Sequence, residues 1–290
     1  MTDHSHPDAK ASKRARSSFL TKARATKPGE TYGVPGQGDT LWLSLLSILG
    51  IIFVWWLFTF MGWVKPLFLP SPQAVLAKFI QVWNEGFTNT PFLEHVGISA
   101  ARVFGAFVLA CLVGIPLGIG MGMSPFIRGI FDPPIEFYRP IPPLAYLPLI
   151  IIWFGIGETS KVLLIFLSVL APVALGARSG VKSAAIEQIH AAYSFGASRW
   201  QVMRHVILPS ALPEILTAMR IGIGFGWTTL VAAEMVAATK GLGYMVLTAS
   251  QFLQTSTVIM GIIVIAVIAY AFDMLMRWIE RKVVPWKGRM

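Results

Sequence analysis

An all-α protein that crosses a membrane about six times is the fold this sequence predicts, and three observations carry the prediction. Hydrophobic residues fill 55% of 290 positions and charged ones 13%, at a mean hydropathy of +0.65, too apolar for a soluble domain of this size. The apolar residues gather into runs near the 20 or so needed to span a bilayer. The net charge of +10 flanks those runs instead of mixing with aromatics in one patch. That distribution marks membrane orientation and argues against a nucleic-acid partner. A lone cysteine, Cys111, allows neither an internal disulfide nor a cysteine metal site.

Residues 1–40 hold seven Lys or Arg and four acids without apolar periodicity. They read as a disordered basic tail on the cytoplasmic side, too polar for a secretory signal. Residues 41–290 form the membrane domain. Leu41–Val64, 24 residues without a charge, is the first span, with Trp55, Trp56 and Trp63 as interfacial anchors. Ser71 and Pro72 then open a short helix with Val75, Leu76, Phe79, Ile80 and Trp83 on one face, placed along the outer interface.

Ile98–Met123 is the second span. Its Gly114, Gly118 and Gly122 form a ladder that admits another helix closely, and Arg102 near its outer end reads as reaching the headgroups. The proline-rich stretch SPFIRGIFDPPIEFYRPIPP reads as a cytoplasmic loop. Leu144–Ile156 makes the third span, with the preceding prolines as a broken entry. Irregular backbone at membrane depth is tolerated where it is buried in protein or lines a watery cavity. Arg139, Pro140 and Tyr146 are therefore candidates for a translocation path, packing alone being the other reading.

Val162–Val181 is the fourth span. The fifth, Leu212–Ala238, contains Thr228, Thr229 and Glu234, and the sixth is Val258–Met276. A charge at the centre of a membrane helix costs about 2.5–3.5 kcal/mol on insertion scales, so Glu234 must face protein or water. A pathway role for Glu234, Thr228 and Thr229, a structural ion pair and an interfacial position all meet that need. The segment KGLGYMVLTASQFLQTST reads as an outer re-entrant or surface piece.

Between the fourth and fifth spans, residues 187–212 form a polar island. Helix formers run from Glu187 to Phe195, and Gly196 offers the left-handed conformation that ends a helix. Ser198 with Gln201 is a capping-box signature for a second helix carrying Arg199, Arg204 and His205, predicted to stop at Pro209. With six spans and a cytoplasmic start, both termini and this island fall inside. The inner segments then hold 18 Lys or Arg and the outer ones four, Arg102 and Arg220 set aside.

No Gly-Lys pair occurs anywhere, so the chain lacks a phosphate-binding loop of the Gly-Lys-Ser/Thr kind, and neither HExxH nor GxSxG is present. The expectation is no enzyme activity, no metal and no cofactor held by this chain. An intramembrane enzyme and a secondary transporter are the rival classes, the latter without the internal repeats it often shows.

Two alanines, three variable residues, glycine, nine variable residues, a β-branched residue, any residue and Leu-Pro match Ala191, Ala192, Gly196, Val206, Leu208 and Pro209. This pattern resembles the coupling loop of permease subunits in binding-protein-dependent ABC importers, with His190 where that family usually has Glu. The resemblance extends from Leu67 to Trp286, through FLPSPQAVLAKF, the proline-rich stretch with its LAYLPL core, and TTLVAAEMVAATKGLG. Within the family it lies nearest the taurine, alkanesulfonate and nitrate branch, taurine first.

The resemblance implies the ABC importer permease fold in the cell inner membrane and a second copy of the chain. It also implies a pair of ABC ATPase subunits that hold the ATP, and a periplasmic solute-binding protein. It assigns ATPase coupling to the loop: Ala191 and Ala192 allow close docking, Gly196 sets the angle between two loop helices, and Leu208 and Pro209 tie the second to the fifth span. His190, Ser198 and Arg199 belong to the same docking surface.

Overall fold

The computed structural model describes residues 41–286; the basic tail of residues 1–40 lies outside them. Helix and no strand is found among the described residues. Five stretches are long and apolar enough to cross a membrane, and a bent pair supplies the sixth if counted as one span.

The chain divides into two units at Lys65. In the first, α1 (Leu41–Phe60) ends four residues before the predicted boundary, where Gly62 turns at φ +70°. Trp56 stacks on Phe60 with ring centroids 4.9 Å apart.

The second unit begins with α2 (Pro72–Glu85), whose Ser71 cap accepts the Ala74 N–H as its sequence predicts. Its apolar residues do not share one buried face: Val75 and Val82 are buried, whereas Leu76, Ile80 and Trp83 are exposed. Apolar surface on both sides suits a helix lying between protein and lipid.

At the centre stands α6 (Glu158–Lys182), flanked by α3 (Phe92–Met123) and α9 (Leu208–Ala237). Leu164, Ile165, Val169, Val173, Ala174 and Ala177 of α6 are fully buried. Lipid removes most of the hydrophobic drive between membrane helices, so contact depends on small residues that let backbones close. The glycine ladder of α3 acts in this way. A Cβ on Gly118 would lie 2.6 Å from the Ala177 Cβ, and one on Gly122 2.5 Å from the Val181 Cβ. On the other side of α6, a Cβ on Gly180 would come within 2.7 Å of the Ala211 carbonyl.

The stretch expected to be a proline-rich loop is helical instead. Ser124 caps α4 (Pro125–Tyr138), Pro125 occupies its first turn, and Pro133 and Pro134 continue inside it. Fixed φ near −65° suits a helix, and the costs are the lost N–H groups and the crowding of each ring against the carbonyl four residues earlier. After a break at 139–142, α5 (Pro143–Phe154) leaves at 106° to α4. Arg178 of α6 reaches back to Asp132 and Glu136 of α4.

The island contains α7 (Ile186–Ser194), α8 (Arg199–Val202) and a π turn (Met203–Ile207) that runs directly into α9. The second island helix therefore does not stop at Pro209. The π turn pairs the Leu208 N–H with the Met203 carbonyl, adding a residue to the turn and placing Pro209 at the start of α9. A widened turn accommodates a residue that has no N–H to give. Finally α10 (Leu242–Gln251) buries Leu242, Gly243, Met245 and Ala249, and α11 (Thr255–Val283) completes the unit.

Candidate functional site

The island is built locally, as its sequence prescribes. Gly196 adopts φ +81°. Its N–H donates to the Tyr193 carbonyl at 2.9 Å and the Ala197 N–H to the Ala192 carbonyl at 3.1 Å. These two bonds are the Schellman closure of α7. The Ser198 hydroxyl then accepts the Gln201 N–H, while Gln201 Oε1 accepts the Ser198 N–H at 2.8 Å, completing the capping box. Helix α7 buries none of its residues. His190, Ala191, Gly196, Ser198, Arg199 and Leu208 are exposed, and Ala192 and Pro209 half-buried. Phe195, at 93% exposure, is a large apolar side chain left uncovered. Sequence reasoning had given Phe195 no role beyond ending a helix. On the inner side Val202 is buried, and Ser183 bonds the Ser210 carbonyl at 3.2 Å, fastening the island to α6 and α9.

A cavity of about 430 Å³ opens at the bend between α4 and α5. Arg139, Pro140 and Tyr146 line it, as do Tyr138, Ser168, Pro172 and Phe225. Pro172 lacks an N–H, so the Ser168 carbonyl four residues earlier has no helical donor. The Tyr138 hydroxyl donates to the Leu167 carbonyl at 3.4 Å. Tyr138 and Ser168 were invisible as lining residues in the sequence, because only the bend brings α4 over α6.

Thr228 is exposed and lines a second cavity, between α9 and α11. Thr229 and Glu234 enter neither cavity. Thr229 is 4% exposed and Glu234 fully buried. Of the readings left open by the sequence, a pathway role, an ion pair or an interfacial position, the geometry of Glu234 is that of the ion pair. Arg102 donates through Nη1 to Glu234 Oε1 at 2.7 Å, and through Nε and Nη2 to the two oxygens of Glu158 at 2.6 Å each. Arg102 is thus 6% exposed and does not reach for headgroups.

The Ser99 hydroxyl donates to Glu234 Oε1, and the Gly243 N–H to Oε2 at 2.8 Å. Gly241, at φ +127°, lies so close that a Cβ there would meet the Glu234 carboxyl carbon at 2.5 Å. His95 accepts the Gly241 N–H at 3.0 Å and has Phe87 O at 3.2 Å on its other nitrogen. The KGLG segment is therefore held as a lid over the joined ends of α3, α6 and α9. A charge inside each of two apolar spans was the available signal for this pairing.

Helices without strands among the described residues, five of them long and apolar enough to cross a membrane and a bent pair besides, make the architecture of a multi-pass membrane protein. Residues 114–285 match the family described as binding-protein-dependent transport system inner membrane component, and the chain belongs to that family. It is a multi-pass membrane transport subunit, of a family that operates with ATPase and solute-binding partners.

Among its relatives is the taurine transport system permease protein TauC of Escherichia coli, 53% identical over 249 residues, covering 86% of this chain and 90% of that protein. A candidate aliphatic sulfonates transport permease of Bacillus subtilis is 34% identical over 88% of this chain and 91% of its own length. The bicarbonate transport system permease protein CmpB of Synechococcus elongatus is 28% identical over 90% and 96%. In fold, the chain resembles a chain of the inward-facing MetNI methionine ABC transporter, with a TM-score of 0.57 at 19% identity. That match covers 66% of this chain and 95% of the other.

Proposed function

We infer that this chain carries taurine, or a closely related aminoalkyl sulfonate, across the inner membrane as one of two identical permease subunits. The observation that carries the reading is its 53% identity to TauC over 86% of its length. Relatives named for aliphatic sulfonates and bicarbonate stand at 34% and 28%, so similarity falls as the named solute departs from taurine.

ATP is bound and hydrolysed by a separate pair of ATPase subunits, and this chain holds no cofactor. The ATPases grip residues 187–212 on the cytoplasmic side, where both termini also lie. Ala191 and Ala192 give close approach, His190, Ser198 and Arg199 give polar contacts, and the exposed Phe195 fills an apolar pocket of the partner. A periplasmic solute-binding protein delivers the solute at the opposite face. The pathway follows the bend between α4 and α5, past Arg139, Pro140 and Tyr146. Support comes from the 430 Å³ cavity there and from the general rule that broken backbone within a membrane borders protein or water. Nucleotide-driven transport then requires only that ATP favour one of two arrangements of the subunits.

The test is ATP-dependent uptake of labelled taurine into proteoliposomes containing this chain, its ATPase and its binding protein, each omitted in turn. Uptake that needs all three and is competed by taurine in preference to alkanesulfonates or nitrate is the expected result. Uptake without the ATPase would overturn the coupling, and preference for nitrate or long alkanesulfonates would move the solute within the family.

A further inference from the structure

The cavity at the bend between α4 and α5 sits at the middle of two spans. Its walls include Leu167, Ser168 and Ala171 from the central turns of α6 and Ile221 and Phe225 from those of α9. A charge at that level of a membrane protein is costly unless it meets water, a counter-ion or a bound group. Arg139 is such a charge. Its side chain is 59% exposed, and among the described residues lining the cavity it is the one that is ionised.

Two side chains of the lining keep donors free. The Tyr138 and Ser168 hydroxyls are engaged by the Leu167 and Ile165 carbonyls, at 3.4 and 2.7 Å. Tyr146 lines the same space half-buried, and its hydroxyl has no hydrogen-bond partner among the described residues, yet it is not sealed from solvent. Nor does the Arg139 guanidinium make a hydrogen bond to any of them. Its ion-pair partner Glu136 stands off at 3.6 Å, and that carboxylate is shared with Arg178 at 3.4 Å. Glu136 therefore keeps a counter-ion when Arg139 turns to another anion.

A cation and a phenol with free donors, in a largely apolar chamber, select an anion with several oxygens. The guanidinium offers paired N–H groups at the spacing of two such oxygens, and the hydroxyl supplies a third donor. A sulfonate has three oxygens sharing one charge and accepts from all three.

We propose that Arg139 and Tyr146 form a station for the anionic end of the solute, holding a sulfonate head between them midway along the spans. The proposal rests on the reading of the bend as the pathway and deepens it, giving the permease a charge preference of its own. A lipid phosphate presents similar oxygens, and the experiment separates the two sources.

Ser168→Cys is made together with Cys111→Ser, leaving one thiol, at the cavity wall. The complete transporter in phosphatidylcholine nanodiscs is treated with two thiol reagents of similar size, 2-sulfonatoethyl and 2-(trimethylammonio)ethyl methanethiosulfonate, with and without ATP. Gel filtration and ATPase activity show that each variant is assembled. Adding Arg139→Gln should lower the rate of the anionic reagent relative to the cationic one about tenfold. Arg139→Lys should retain most of the preference, and Tyr146→Phe should reduce it less than Arg139→Gln does. Taurine should slow the anionic reagent in the presence of Arg139 and not in Arg139→Gln.

An unchanged rate ratio in Arg139→Gln overturns the station and leaves the pathway at the bend standing. No reaction with either reagent, with or without ATP, removes the bend from the pathway, and the station falls with it. Protection by ethanesulfonate and not by taurine supports the station and moves the solute. Protection by taurine that is lost when phosphatidylglycerol is added gives the site to lipid phosphate and overturns the solute station.

Discussion

Arg102 and Glu234, 132 residues apart in sequence, meet at 2.7 Å in a site where neither side chain is more than 6% exposed. The contact joins α3 to α9, and Glu158 extends it to α6. Removing one partner of a buried pair leaves the other charge uncompensated, at a cost of about 3–5 kcal/mol. Glu234→Ala should therefore lower the thermal unfolding temperature sharply. Glu234→Gln, which still accepts from Ser99 and Arg102, should lose about half as much. Equal stability of Glu234→Ala and the parent in a detergent melt would remove the pair from the account of the fold.

Gly118 lies where α3 meets both the Ala174 carbonyl and the Ala177 side chain of α6. Gly118→Val should cost at least about 1–3 kcal/mol through overpacking and appear as aggregation on size exclusion. Gly105, on the same helix with nothing within 4 Å of an added Cβ, provides the control. Gly105→Ala should be neutral or stabilising by up to about 1 kcal/mol.

Gly196 at φ +81° closes α7, a conformation that costs a side-chain-bearing residue about 1–2 kcal/mol, and a β-branched one more. Because the island is exposed, Gly196→Val should leave the bundle folded and change the angle between α7 and α8. The expected result is ATPase activity retained while uptake falls at least about tenfold. Normal uptake by this variant would sink the role given to the glycine.

Arg178 binds Asp132, with Glu136 a further 3.4 Å contact. A double-mutant cycle of Arg178→Gln with Asp132→Asn should give a coupling near 1 kcal/mol or above, and the cycle with Glu136→Gln a smaller one. Equal couplings would mean that α4 is not oriented by the Asp132 contact.

What could be read from the sequence was what is local. Ser71, Ser198 with Gln201, and Gly196 each act within a few residues, and the structure has each in its expected role. The glycine ladder was also legible, because a four-residue repeat specifies a face without naming the partner. Arg102 was misread because its partners lie 56 and 132 residues away, and nothing local distinguishes a charge that snorkels from one that is paired. The prolines of α4 misled for another reason. Pro133 and Pro134 suggest a loop on propensity alone, yet α4 runs through them with a cap at Ser124 and the Arg178 contact on its length. Pro209 followed the same course, absorbed by the π turn before it.

From Arg199 to Ala237 the chain runs 39 residues without leaving a helical path, about 58 Å at 1.5 Å per residue. That is a strut longer than a bilayer is thick. It is separated from α7 by the left-handed joint at Gly196 and ends in the turn of Glu234. No non-helical segment interrupts it between the island and the Arg102–Glu234 pair. Through Arg102 the far end of that strut is joined to α3 and, by way of Glu158, to α6, so the three helices are fixed to one another at a single point.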